Sequence, residues 1–131
     1  MSATATKRKV SRVSLWFGLF GGAIAWTIHL MSAYAVAEFG CVGSLGERSY
    51  WYISHVAWLE LALTAAGLLV AAAATVVAYR NQRPLISSTH DALPAREAER
   101  QTARVGLITS GIFTFIILFQ SIPILFYLRS C

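Results

Sequence analysis

The sequence predicts an all-α integral membrane protein with three transmembrane helices. Of its 131 residues, 56% are hydrophobic and 13% are charged, whereas a soluble domain keeps roughly a quarter of its residues charged. Lipid tails accept apolar side chains that face outward, so this balance fits a bilayer better than water. The remaining charges lie in short stretches between three long apolar runs.

Each apolar run is long enough to cross a bilayer as a helix. The hydrocarbon core is about 30 Å thick, which takes about 20 residues at about 1.5 Å each. An open sheet is excluded because lipid offers no partner for an unpaired backbone group. The predicted segments are a basic tail at 1–12, spans at 13–38, 51–79 and 105–127, an outer loop at 39–50, an inner loop at 80–104 and an outer tail at 128–131.

The distribution of basic residues predicts the direction of the spans. Lysine and arginine concentrate on the cytoplasmic side of membrane proteins. Only Arg48 and Arg129 would lie on the outer side if the amino end were cytoplasmic and the carboxyl end outside. The other nine basic residues would then be cytoplasmic: Lys7, Arg8, Lys9, Arg12, Arg80, Arg83, Arg96, Arg100 and Arg104.

Aromatic residues agree with that direction, because tryptophan and tyrosine favour the membrane interfaces. Trp16 and Tyr79 would lie near the inner interface, and an outer belt would contain Tyr50, Trp51, Tyr52 and Tyr127. A cleaved signal peptide is an alternative for the first span, since Ala33 and Ala35 resemble a cleavage site. The apolar run is longer than the roughly 7 to 15 residues of a signal, which disfavours this alternative.

The second half of the inner loop is predicted to be helical. Pro94 suits a first helical turn, and residues 95–104 are rich in helix formers that can continue into the third span. Arg96, Arg100 and Arg104 recur every four residues. This row is either a set of ligands for lipid phosphates or a solvated face paired with neighbouring glutamates.

Two cysteines are predicted to lie on the outer side. Cys41 follows the first span and Cys131 follows the third, so both share one compartment and one depth. In an oxidising compartment a disulfide between them would join the first and third helices. Two unpaired thiols, or a pair formed with a partner chain, remain alternatives.

Four polar residues are predicted to form a layer near the middle of the bilayer. Helical rise places His29, Glu60 and Gln120 about 15 to 18 Å from the outer surface. Because an unpaired ionisable group is costly there, we expect His29 to pair with Glu60, and Gln120 or Ser121 to complete the hydrogen bonds. The layer either joins the helices structurally or uses Glu60 as a proton-exchanging group.

No metal or cofactor site is predicted. Two cysteines do not complete a tetrahedral zinc site, although two outward thiols can hold Cu(I). Haem ligation by His29 and His55 is disfavoured because helical rise separates them by roughly 10 Å in depth.

Small residues predict close helix contacts. The pairs have four-residue spacing, which lets neighbouring backbones approach closely within this chain or between chains. A proline at 123 is predicted to kink the third span. The pairs are Gly18 with Gly22, Ala62 with Ala66, and Gly106 with Ser110.

Two stretches carry a resemblance to a known group of proteins. Residues 15–41 contain Gly21-Gly22, Ala25-Trp26, His29-Leu30 and the final Cys41, and the carboxyl end contains residues 120–123 before Cys131. These features resemble small bacterial membrane proteins that are often encoded beside haem-copper oxidase genes. The resemblance implies a place in the bacterial inner membrane and an accessory link to a respiratory oxidase.

The favoured function is that of an accessory or assembly subunit of a larger membrane complex. The sequence contains no nucleophile with a base and no phosphate loop, so an enzyme is disfavoured. Nucleic acid is disfavoured as a partner because the basic residues flank apolar runs, although the net charge is +5. The alternative is a small homo-oligomeric ion-coupled transporter in which Glu60 faces a shared cavity.

Overall fold

Three long helices make up most of the protein. A computed structural model describes residues 10–42, 49–50, 53–86 and 94–123. The helices are α1 (Arg12–Val42), α2 (His55–Ile86) and α3 (Pro94–Gln120). The predicted all-α class with three helices is therefore confirmed.

A very short antiparallel strand pair precedes α2. β1 (Ser49–Tyr50) pairs with β2 (Ile53–Ser54). The sequence predicted only a loop before residue 51 and a helix from there onward. The pairing satisfies backbone groups that a helix would otherwise satisfy, so α2 begins four residues later than predicted.

All three helices are long and apolar enough to cross a membrane. The qualifying stretches are Arg12–Gly40, His55–Arg83 and Arg96–Gln120. The chain is accordingly a multi-pass membrane protein. The direction in which it crosses stays a prediction.

Two helices extend beyond the predicted spans into basic sequence. α2 continues to Ile86, and α3 joins the predicted short helix and the third span into one helix. Arginine is a good helix former, and its charge is solvated outside the hydrocarbon, so nothing ends these helices at the membrane surface.

The third span is interrupted before its predicted limit of residue 127: α3 ends at Gln120, Ser121 is a turn, and Ile122 and Pro123 are helical again, where the sequence predicted a kink. A proline ring clashes with the carbonyl four residues earlier, and Pro123 comes three residues after the end of α3. The Ser121 N–H still donates to Ile117 O at 3.2 Å, and its hydroxyl donates to Leu118 O at 2.6 Å. Residues 124–127 lie outside the described ranges.

The helices form a bundle in which each one packs on the other two. α1 and α3 run in the same direction, and α2 runs in the opposite direction. We call the end that contains Arg12, Arg83 and Arg96 the basic end, and the end that contains Val42 and His55 the hairpin end. Trp16 and Tyr79 are exposed near the basic end. The side chains of the predicted outer belt are not among those that the structure describes.

The interior of the bundle consists mainly of small side chains. Ala25, Ala71 and Ile117 form a buried apolar cluster, with Trp26 and Leu68 packed against it. Large apolar side chains such as Phe115 face outward. This arrangement fits lipid, because helices in a bilayer associate through close packing and not through removal of apolar surface from water.

Candidate functional site

The predicted small residues of α1 and α3 face each other within one chain. A Cβ added at Gly22 would lie 2.7 Å from the Ser110 Cα, and one added at Gly106 would lie 3.0 Å from Gly18 O. Ser110 is fully buried, and its hydroxyl donates to Gly18 O at 2.6 Å. The two strips therefore form an intramolecular seam with a buried hydrogen bond at its centre.

α2 contributes alanines to the same seam. A Cβ added at Gly18 would lie 3.1 Å from the Ala78 Cβ, and one added at Gly21 would lie 2.8 Å from the Ala74 Cβ. The glycines of α1 thus allow both neighbouring helices to approach closely near the basic end.

The predicted pair Ala62 and Ala66 lies elsewhere. Both residues are exposed, on the side of α2 opposite to buried Ala71 and Ala78. Further exposed alanines recur along the same side at helical spacing. We call this surface the alanine face; exposed Leu69 lies at its centre, and its alanines are Ala62, Ala65, Ala66, Ala72 and Ala73.

His29 and Glu60 do not lie at one level of the bundle. His29 is buried against Gly67, where an added Cβ would lie 3.3 Å from the His29 Cβ. Gly67 is seven residues from Glu60, which is about 10 Å along the helix axis. Within the described ranges, no hydrogen bond or ion pair joins His29 to Glu60.

The ends of the helices explain this offset. His29 lies 13 residues before the last residue of α1, whereas Glu60 lies only five residues after the first residue of α2. The prediction measured depth from a second span that began at residue 51. The later start of α2 places Glu60 about 6 Å nearer the hairpin end of that helix.

Gln120 has a partner that the sequence did not suggest. Its Oε1 accepts a hydrogen bond from Trp26 Nε1 at 3.0 Å. The Trp26 ring also lies 5.3 Å from the Phe113 ring, centroid to centroid. An indole N–H in lipid needs an acceptor, so Trp26 on the first span was a signal that a polar residue lies nearby.

Two buried polar atoms toward the middle of the bundle lack partners. Within the described part of the chain, His29 Nδ1 and Thr64 Oγ1 make no hydrogen bond. Thr64 lies one turn from half-buried Glu60 on the inward side of α2. These buried polar groups are therefore incompletely satisfied.

An apolar segment separates these groups from the next polar pair toward the basic end. Thr75 Oγ1 and Thr114 Oγ1 lie 3.2 Å apart, and each is also within hydrogen-bond distance of a backbone carbonyl of its own helix, so one hydroxyl can donate to the other while that one donates to its carbonyl. Thr75 is eight residues, or about 12 Å, from Gly67 beside His29. The buried cluster of Ala71 and Ile117 fills this interval.

A further polar pair joins α1 to α2 at the basic end. Asn81 Nδ2 lies 2.9 Å from Ser14 Oγ, and Ser14 Oγ lies 3.0 Å from Asn81 Oδ1. The prediction missed this pair. Its signal was available, because Asn81 follows Ala74 and Ala78 on one helical face.

The arginine row begins in the first turn of α3. Arg96 and Arg100 are half-buried, and Arg104 is exposed. The row lies at the basic end, where it can meet either water or headgroups. Its role stays a prediction.

The described residues form no metal site. Among the residues described, no group of three or more His, Cys, Asp or Glu side chains could hold a metal ion. Cys41 belongs to α1, but its side chain and the whole of Cys131 lie outside the described residues. His55 is twelve residues from Gly67 and hence about 18 Å from the level of His29, too far for both to bind one haem.

Comparison of the chain with protein-family models, curated proteins and solved structures finds no match.

Proposed function

We propose that the chain is an accessory or assembly subunit that packs against a larger membrane complex. The alanine face is the observation that carries this proposal. Small side chains allow the backbone of another transmembrane helix to approach closely, which is the main source of helix association in lipid. The partner is therefore a transmembrane helix of another protein.

The alanine face is separate from the contacts that hold the bundle together. Gly18, Gly22 and Ser110 are already used within the chain, whereas Ala66 and Ala73 are exposed. A lipid-facing helix has no need of consecutive alanines, since larger apolar residues suit lipid better. The resemblance to proteins encoded beside oxidase genes makes a respiratory oxidase of a bacterial inner membrane the first partner to test.

Enlarging the alanine face tests the proposal. We expect Ala66→Leu and Ala73→Leu to reduce the amount of the complex that co-purifies with the tagged chain in mild detergent. Ile112→Phe is the matched control, because it enlarges an exposed residue on α3. Unchanged partner recovery with both alanine variants, or recovery of the wild type as an active homo-oligomer alone, would contradict the proposal.

One observation favours the second candidate, an ion-coupled transporter. Glu60 is half-buried on the inward side of α2, near Thr64, whose hydroxyl lacks a partner in the described part of the chain. The apolar cluster of Ala71 and Ile117 counts against a polar path through a single bundle, so transport would need a cavity shared between copies. Glu60→Gln separates the candidates: a transporter loses ion-coupled flux in proteoliposomes, whereas a packing subunit keeps its partner.

A further inference from the structure

An open groove of about 550 Å³ runs along the basic half of α1. Its volume falls within the roughly 300 to 1,000 Å³ that is usual for small-molecule sites. One residue of α2, Val70, closes its deep end beside Ile24. The remaining lining residues belong to α1: Arg12, Val13, Trp16, Phe17, Phe20 and Gly21.

A single charge stands at the entrance of this groove. Arg12 is the first residue of α1 and is exposed, while every other lining residue is apolar. Within the described ranges no carboxylate pairs with Arg12. The fork of N–H donors on its guanidinium suits phosphate.

The length of the groove matches one leaflet of a bilayer. Arg12 and Ile24 are twelve residues apart, which is about 18 Å along a helix. Half of the hydrocarbon core is about 15 Å thick. With α1 crossing the membrane, Arg12 lies at headgroup level and the deep end at Ile24 and Val70 lies near the midplane.

Aromatic rings shape the groove. The Trp16 and Phe20 rings stack with centroids 5.3 Å apart and planes 10° apart, which makes a flat wall. The result is a long apolar slot along the helix.

We propose that this groove binds one acyl chain of an anionic phospholipid, whose phosphate is held by Arg12. A transmembrane helix of a partner would need a surface that continues through both leaflets, but this groove ends near the middle. A neutral ligand would leave the arginine at its entrance without a role. The proposal concerns α1 and is independent of the alanine face.

Native mass spectrometry of the full-length protein tests the proposal. The protein is titrated in detergent with phosphatidylglycerol or with phosphatidylcholine of the same acyl chains. Both lipids offer a phosphate to Arg12, but the choline cation offsets the phosphate charge and is repelled by the guanidinium, so the first phosphatidylglycerol should bind about tenfold more tightly than phosphatidylcholine. We expect Arg12→Gln to remove most of this preference and Val70→Trp, which fills the deep end, to weaken binding of both lipids.

Arg104→Gln is the matched control, because it removes an exposed arginine from the same end of the bundle but outside the groove. It should keep the preference for phosphatidylglycerol. Photo-crosslinking with a diazirine on the acyl chain should label Phe20 or Ile24. Equal binding of the two lipids, equal effects of the two arginine variants, or labelling confined to other residues would overturn the proposal, as would a second copy of the chain occupying the groove.

Discussion

Ser110 and Gly22 show at the scale of single residues how the helices of this protein are held together. The Ser110 hydroxyl reaches Gly18 O only because the opposing residues have no side chains, and a Cβ at Gly22 would meet the Ser110 backbone at 2.7 Å. Backbone cannot move aside as a flexible side chain can. The steric demand at Gly22 is therefore strict.

We expect Gly22→Ala to destabilise the bundle by about 1 to 3 kcal/mol, the usual cost of overpacking. Gly111→Ala is the matched control on α3, since a Cβ there meets nothing within 4 Å, and it should leave stability unchanged or slightly raised. Unfolding in mixed micelles, followed by circular dichroism, measures both. Equal effects of the two substitutions would mean that the seam does not limit stability.

For His29 we expect the opposite effect, a substitution that does not lower the free energy of unfolding. A buried polar atom without a partner costs about 1 to 3 kcal/mol, and replacing it by an apolar group can be neutral or stabilising. We therefore expect His29→Leu to keep or raise the free energy of unfolding. Ser110→Ala, which removes a hydrogen bond that is made, should lower it by about 1 kcal/mol.

The same micelle unfolding experiment compares these two variants. A loss of several kcal/mol with His29→Leu would indicate that His29 is ion-paired in the membrane, because breaking a buried pair strands its partner. That result would restore the predicted pairing with Glu60. It would also favour the proton-exchanging role of the polar layer over its structural role.

The sequence predicted the seam residues better than it predicted the polar contacts. Small residues four apart identify a close-packing strip whatever its depth, so Gly18, Gly22, Gly106 and Ser110 needed no knowledge of where the helices end. Pairing His29 with Glu60 depended on absolute depth in two antiparallel helices, in which an error of one turn moves a side chain by about 5 Å.

At the scale of elements, the error in the predicted depth of Glu60 arose at the start of α2. β2 occupies residues 53 and 54, and α2 begins at His55. Ser54 Oγ accepts a hydrogen bond from the Ala57 N–H at 3.2 Å, which is the contact of a helix N-cap. An apolar run alone does not reveal such a cap, because hydropathy averages over many residues, whereas one serine fixes the first turn.

We expect Ser54→Ala to weaken the first turn of α2 by about 0.5 to 2 kcal/mol. Ser54→Thr keeps a hydroxyl and is the matched control. Hydrogen exchange of the backbone amides near Ala57, measured in micelles, should increase only with the alanine. Equal protection in both variants would show that the short strand pair, and not the cap, fixes where α2 begins.

In the whole molecule, the contacts that join the helices differ along the length of the bundle. At the basic end, the seam and the pair of Ser14 with Asn81 join the helices tightly. Toward the middle of the bundle, His29 and Thr64 have buried atoms without partners in the described part of the chain. We expect this middle layer to contribute less stability than the basic end.

The predicted disulfide between Cys41 and Cys131 would join α1 to the carboxyl end of the chain. Cys41 lies in the last turn of α1, and Cys131 is predicted to lie on the same side of the membrane. We expect both thiols to react with maleimide only after reduction. Ready labelling of both cysteines in intact cells without a reductant would contradict the pairing.

The direction of crossing is the prediction on which that disulfide depends. With nine of eleven basic residues within residues 1–12 or between residues 80 and 104, the basic end should remain in the cytoplasm and the residue at 131 should face an oxidising compartment. Alkaline phosphatase needs disulfides, so its fusion after residue 131 should be active. A fusion at residue 89 is the control and should be inactive. The reverse pattern would place both cysteines in a reducing compartment, where no stable disulfide forms.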